Sequence, residues 1–212
     1  MSLRPSIVMM TLVKVCGITR LEDGLSAAAE GAVAVGFIFW PHSPRYIDPK
    51  KAREITEKLP PFVTPVGVFV DTPPSEVERV ARVVGLKVVQ LHGQELCSDY
   101  AKIGVRLIKS VAVGEKFSRE SLTHVPEDVT VLLDAHDPVR MGGTGQPIDW
   151  TIGARIARER RVVLSGGLRP DNVCEAIKVV APYAVDVSSG VEDRPGIKNH
   201  ERVRAFMKAI QR

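Results

Sequence analysis

Residues 12–39 read LVKVCGITRLEDGLSAAAEGAVAVGFIF. An apolar run from Leu12 to Cys16 and another from Val33 to Phe39 flank a stretch, Leu21 to Glu30, whose apolar positions recur at helical spacing. Strand, helix, strand is the unit that forces two strands to run parallel, because the chain must cross back outside the sheet before the second can begin.

Working outward from this unit, the same alternation continues. Further strand-like runs occupy Pro65 to Val70, Lys87 to Leu91, Val105 to Val113, Val129 to Asp134, Arg161 to Leu164 and Ala184 to Val187. Helical spacing recurs over Pro49 to Leu59, Pro74 to Val84, Asn172 to Val180 and Asn199 to Ile210, while the helices after the fourth, fifth and sixth strands read less clearly. Asp48-Pro49 and Thr72-Pro73-Pro74 place proline at helix starts, where a missing amide costs little. Eight such units in 212 residues predict an α/β fold, a single-domain (β/α)8 TIM barrel. An open doubly wound sheet shares the local pattern, but no GxGxxG follows the first strand. Residues 1–11 read as an N-terminal extension and 12–212 as the barrel's catalytic domain. The glycine-rich stretch from Asp137 to Pro147 reads as an active-site loop, with Gly142 to Gly145 able to close as a lid.

Composition narrows the class. A hydrophobic fraction of 44% supports a substantial core, and no run of about eighteen apolar residues predicts a membrane span. The net charge of +4 is scattered among acids, with no basic block or recognition motif to suggest nucleic acid. The three cysteines form no CxxC pair, and the first residues carry no secretory signal, so reduced thiols in the cytoplasm are expected. A homodimer is possible, although no interface is legible.

In such a barrel the C-terminal strand ends surround the active site. The first strand ends Lys14-Val15-Cys16-Gly17, and alternation puts Lys14 and Cys16 on the inward face with Cys16 at the mouth. The sixth ends in Asp134. A thiol and a carboxylic acid across one pocket can supply a base and an acid, which suggests an isomerase. Asp71, after the third strand, and Gln90 and His92, at the fourth, are further candidates whose ordinary roles are capping and core hydrogen bonding.

Ser165-Gly166-Gly167 after the seventh strand and Ser188-Ser189-Gly190 after the eighth present small residues with accessible amides. Paired loops at these two positions suit a phosphate. The proline-stiffened loop Trp40 to Tyr46 carries Arg45, whose planar fork suits a second, carboxylate group on the substrate.

Taken in order, Lys14-Val15-Cys16-Gly17-Ile18-Thr19, Gly36-Phe37-Ile38-Phe39, Ser43-Pro44-Arg45-Tyr46, Gln90-Leu91-His92-Gly93, Leu133-Asp134, Gly142-Gly143-Thr144-Gly145, Ser165-Gly166-Gly167-Leu168 and Val187-Ser188-Ser189-Gly190-Val191-Glu192 resemble the phosphoribosylanthranilate isomerase family. The resemblance covers nearly the whole chain. It implies an intramolecular oxidoreductase of tryptophan biosynthesis. The reaction would be the Amadori rearrangement of N-(5′-phosphoribosyl)anthranilate to 1-(2-carboxyphenylamino)-1-deoxy-D-ribulose 5-phosphate, with no metal or organic cofactor. By the same resemblance Asp134 is the general acid at the ribose ring oxygen, Cys16 the general base at C2′ and Arg45 the anthranilate clamp. The substrate's phosphate would sit on Gly166, Gly167, Ser188, Ser189 and Gly190. A thiol base must ionise, and Lys14 is one source of the positive potential needed. The neighbouring indoleglycerol phosphate synthases rely instead on a lysine and a glutamate, and a metal-dependent epimerase needs a cluster of histidines and acids that is not evident here. A barrel that kept its phosphate loops but lost activity is the non-enzymatic alternative.

Overall fold

The computed structural model describes residues 11–114, 117–135 and 149–211. Eight parallel strands close into a barrel in sequence order, β1 (Leu12–Cys16), β2 (Ala34–Ile38), β3 (Thr64–Phe69), β4 (Val88–Leu91), β5 (Arg106–Val113), β6 (Thr130–Ala135), β7 (Val162–Leu164) and β8 (Ala184–Val187), with β8 pairing back onto β1. Every boundary lies within one residue of its sequence expectation. Closure rules out the open sheet.

The outer layer is less regular. Helices α1 (Leu21–Ala29), α2 (Pro49–Thr56) and α3 (Pro74–Val84) follow the first three strands, but α4 (Cys97–Tyr100) is a single turn extended by a 3-10 turn, Ala101–Ile103. After β5 the described chain forms only the 3-10 turn Arg119–Leu122, and α5 (Trp150–Ala157), α6 (Val173–Val180) and α7 (His200–Ile210) complete the ring. A short antiparallel hairpin, β9 (Glu192–Arg194) and β10 (Ile197–Lys198), intervenes between β8 and α7 and was not anticipated. Residues 1–10 and the Gly142 to Gly145 loop lie outside the described residues.

Local chemistry fixes the helix starts. The side chains of Asp48, Asp149 and Asn199 accept from the amides of Lys50, Thr151 and Arg202, satisfying donors that lack an intrahelical partner.

Strand alternation divides the apolar residues into two sets. Val13 and Val15 of β1, Val131 and Leu133 of β6, and Val185 and Val187 of β8 belong to the large core that also includes residues of the helices. Leu132, Val163 and Ala184, with Leu12 and Ile108 against them, form a separate cluster. Each fully buried large side chain, such as Phe37, Phe69 or Phe206, contributes roughly 2–3 kcal/mol. The positions that alternate with the large core, Lys14, Cys16, Asp134 and Asp186, are therefore free to carry chemistry at the barrel mouth.

Candidate active site

A pocket of about 470 Å³ opens at this mouth, with Cys16, Arg45, Gln90, His92, Asp134, Gly166, Gly167, Ser188 and Ser189 all in its lining. The acid and thiol named from the sequence thus share one cavity with the phosphate-type loops and the arginine.

On the β1 side, Lys14 and Asp186 are register partners on adjacent strands, and Lys14 Nζ donates to Asp186 Oδ1 at 2.9 Å in a buried pair. Burial alone disfavours the ammonium, but Asp186 and Cys16 outweigh it and Lys14 titrates above its ordinary value. Burial likewise is the largest influence on Cys16 and pushes its thiol up; Lys14 and Lys198 pull it down, while Asp186 reinforces the rise. The net direction is upward, so the pocket favours a neutral thiol. That differs from the expectation that Lys14 ionises Cys16: burial of the thiol outweighs the field of Lys14, and Asp186 adds to the rise.

The sixth-strand side is built around a histidine. His92 Nδ1 lies 3.0 Å from Gln90 Nε2 and 2.9 Å from Ser110 Oγ, while Nε2 lies 3.5 Å from Asp134 Oδ2. With the Gln90 amide nitrogen placed toward the ring, Nδ1 accepts and the ring proton sits on Nε2, which faces Asp134. Burial, followed by the field of Lys14, lowers the His92 pKa to about 4, so the ring is neutral near pH 7. Gln90 Oε1 is buried with no hydrogen-bond partner among the described residues.

The loops after β7 and β8 are braced against each other. Asn172 Nδ2 donates to the Gly167 carbonyl at 2.9 Å, and its Oδ1 accepts from the Arg169 amide at 2.7 Å. Gly190 packs directly against the Leu168 carbonyl, so it joins the two loops and is absent from the pocket lining. A 3-10 turn, Ser189–Val191, follows β8 with Ser188 at its head.

Arg45 lies beside the loop after β8, where its Nε and Nη2 both donate to the buried Glu192 carboxylate, at 3.0 and 2.8 Å. Lys198 Nζ donates to the same carboxylate at 2.8 Å. Burial would raise Glu192, but these two cations hold it below the usual carboxylate range. Asp71 does not line the pocket. Its Oδ1 accepts from the Gln94 amide at 2.6 Å and its own amide donates to Glu95 at 2.7 Å, which makes it a brace between the loops after β3 and β4.

The family model described as N-(5′-phosphoribosyl)anthranilate isomerase matches residues 13–209. The chain belongs to the phosphoribosylanthranilate isomerase family. It is 49% identical over 200 residues to the isomerase of Geobacter sp. (strain M21), covering 93% of this chain and 97% of that one. The solved phosphoribosylanthranilate isomerase of Thermotoga maritima superposes with a TM-score of 0.88 at 45% identity, covering 95% of this chain and 99% of that chain. The Thermotoga protein is itself described as dimeric. A phosphoribosylanthranilate isomerase solved in complex with reduced 1-(o-carboxyphenylamino)-1-deoxyribulose 5-phosphate matches at 44% identity with a TM-score of 0.85, covering 95% and 99% of the two chains.

Within this phosphoribosylanthranilate isomerase barrel, the roles of four participants went unread in the sequence. Asp186 is an inward residue of an apolar strand, and its position opposite Lys14 was the available signal. Ser110 lies mid-strand, where nothing marks it as a partner of His92. Glu192 was noticed only as part of a motif, and Lys198 not at all; their convergence on Arg45 depends on a hairpin too short for periodicity to reveal.

Proposed function

We propose that the protein catalyses the Amadori rearrangement of N-(5′-phosphoribosyl)anthranilate in tryptophan biosynthesis. The observation that carries this reading is the assembly, in one pocket, of the Cys16 thiol, the Asp134 carboxyl, Arg45 and the two small-residue loops. Asp134 gives its proton to the ring oxygen as the C1′–O bond breaks, and the anthranilate nitrogen supplies the electrons of the Schiff base. Cys16 then removes the C2′ proton, leaving an enolamine. Proton return at C1′ and loss of the C2′ hydroxyl proton give the ketone, with no net gain or loss of atoms.

The other residues position the substrate. Gly166, Gly167, Ser188 and Ser189 form the phosphate subsite, where backbone amides and hydroxyls are donors without the rotamer cost of a long side chain, and Gly190 serves it by letting the two loops meet at the Leu168 carbonyl. Arg45 receives the anthranilate carboxylate. The unpartnered Gln90 Oε1 suits a hydroxyl of the opened sugar, and the neutral His92 Nε2–H stabilises the carboxylate that forms when Asp134 gives up its proton. Asp71 acts here through the loop it braces.

Purified protein supplied with N-(5′-phosphoribosyl)anthranilate should abolish the substrate's anthranilate-type fluorescence as product forms. Binding of the reduced product analogue with no turnover would instead mark a barrel that kept the subsite and lost the reaction.

A cytoplasmic homodimer completes the proposal. Among the described residues no helix is long and apolar enough to cross a membrane, and the relative from Thermotoga maritima is described as dimeric, which supports the homodimer reading. Sedimentation equilibrium at micromolar concentration should return twice the chain mass; a single-chain mass would contradict it.

A further inference from the structure

The β9–β10 hairpin brings two charges to Arg45. Glu192 and Lys198 are register partners across the hairpin, and both side chains are buried, at 4% and 0% exposure. The Glu192 carboxylate takes Arg45 through Nε and Nη2, takes Lys198 Nζ at 2.8 Å and takes the Gly196 amide at 3.2 Å. Lys198 Nζ is anchored further by the Ser188 carbonyl at 3.3 Å. The arginine stem passes over Gly17, where an added β-carbon would come within 2.7 Å of Arg45 Cδ.

The consequence is directional. With one edge of the guanidinium held by Glu192, Nη1 is the end with no hydrogen bond among the described residues, and Arg45 is itself part of the pocket lining. Arg45 and Lys198 share one carboxylate, and burial pulls the Lys198 ammonium down, so the guanidinium is the cluster's firmest positive charge. A guanidinium fixed in place has little rotamer freedom left to lose when it meets an anion.

We infer that Glu192, carried with Lys198 on this hairpin, is a positioning residue that presents Arg45 to the substrate's aromatic carboxylate and so sets the preference for carboxylated substrates. This rests on the reading of Arg45 as the carboxylate clamp. Glu192 touches no reacting atom; it acts through Arg45.

The test compares two ligands by calorimetry: reduced 1-(o-carboxyphenylamino)-1-deoxyribulose 5-phosphate and its counterpart lacking the carboxyl group. The ratio of their Kd values measures the carboxylate preference. Glu192→Gln should shrink that ratio by roughly tenfold or more while the carboxyl-free ligand binds within about threefold of wild type. In turnover the variant should raise KM far more than it lowers kcat. Glu192→Asp keeps the charge but draws the carboxylate back by one methylene, and should shrink the ratio in the same direction, so the test survives if the amide variant folds poorly. Equal weakening of both ligands in both variants would show a merely structural role and overturn the inference. Arg45→Ala separates the two levels. If it loses the preference while both Glu192 variants keep it, the clamp stands and the positioning role fails; if it keeps the preference, the clamp reading fails and this inference with it.

Discussion

Lys14 Nζ and Asp186 Oδ1 stand 2.9 Å apart on strands paired in register, two residues below the Cys16 thiol. The pair compensates the one cation best placed to ionise that thiol, and burial prevails. Asp186→Asn removes both the competing partner and a negative charge, so the thiol should ionise at lower pH. Alkylation of Cys16 by iodoacetamide at neutral pH, read by mass spectrometry, should accelerate by about tenfold, the effect of one pKa unit. An unchanged rate would show that Lys14 does not act on the thiol.

The same balance sets the pH profile of the reaction. Because the free enzyme's thiol titrates above its ordinary value, the base form of Cys16 is scarce at neutral pH. The profile of kcat/KM, which reports the free enzyme, should therefore keep rising with pH past the ordinary thiol range of about 8.5. A plateau reached below pH 7 would mean that the thiol is already ionised at rest.

His92 makes a prediction about stability. Its pKa is lowered to about 4 in the folded protein, against about 6.5 when unfolded. For a depressed group the contribution is fully present above the unfolded value and is lost as pH falls toward the folded one. Urea unfolding should lose roughly 3 kcal/mol between pH 6.5 and 4 from this residue, and His92→Gln should flatten that slope. A variant with the wild-type slope would place the acid sensitivity elsewhere, for example in the depressed carboxylates of Asp23 and Glu192, whose contribution falls away at lower pH.

Gly36 tests how tightly the site is packed. A β-carbon there would lie 2.7 Å from Cys16 Sγ and 3.1 Å from Lys14 Nζ. Gly36→Ala should displace the thiol and lower kcat by about a hundredfold, the loss expected for a small misplacement of a reacting group. Near-wild-type kcat with a displaced thiol would remove Cys16 from the chemistry.

How much of this could be read in advance differs between barrel and site. The eight strands were legible because Val13, Val35, Val131 and Val185 sit in β-branched runs bounded by polar segments. Helix α4 and the 3-10 turn after β5 were not, since a single turn such as Cys97–Tyr100 is too short to show a period. Cys16 and Asp134 were legible because a reactive residue closing an apolar strand is conspicuous. Their supporting partners were not: Arg45 and Glu192 lie 147 residues apart, and only closure of the barrel and the β9–β10 turn bring them together. Asp71 shows the converse case, a conspicuous strand-end acid whose Oδ1 accepts from the Gln94 amide outside the pocket lining.

The central claim, that Cys16 takes the C2′ proton, is tested most directly by the kcat of Cys16→Ala measured alongside its affinity for the reduced product analogue. The account predicts a loss of about a thousandfold or more in kcat, with a Kd for the analogue within about threefold of wild type. Retention of wild-type kcat by the alanine variant would contradict it.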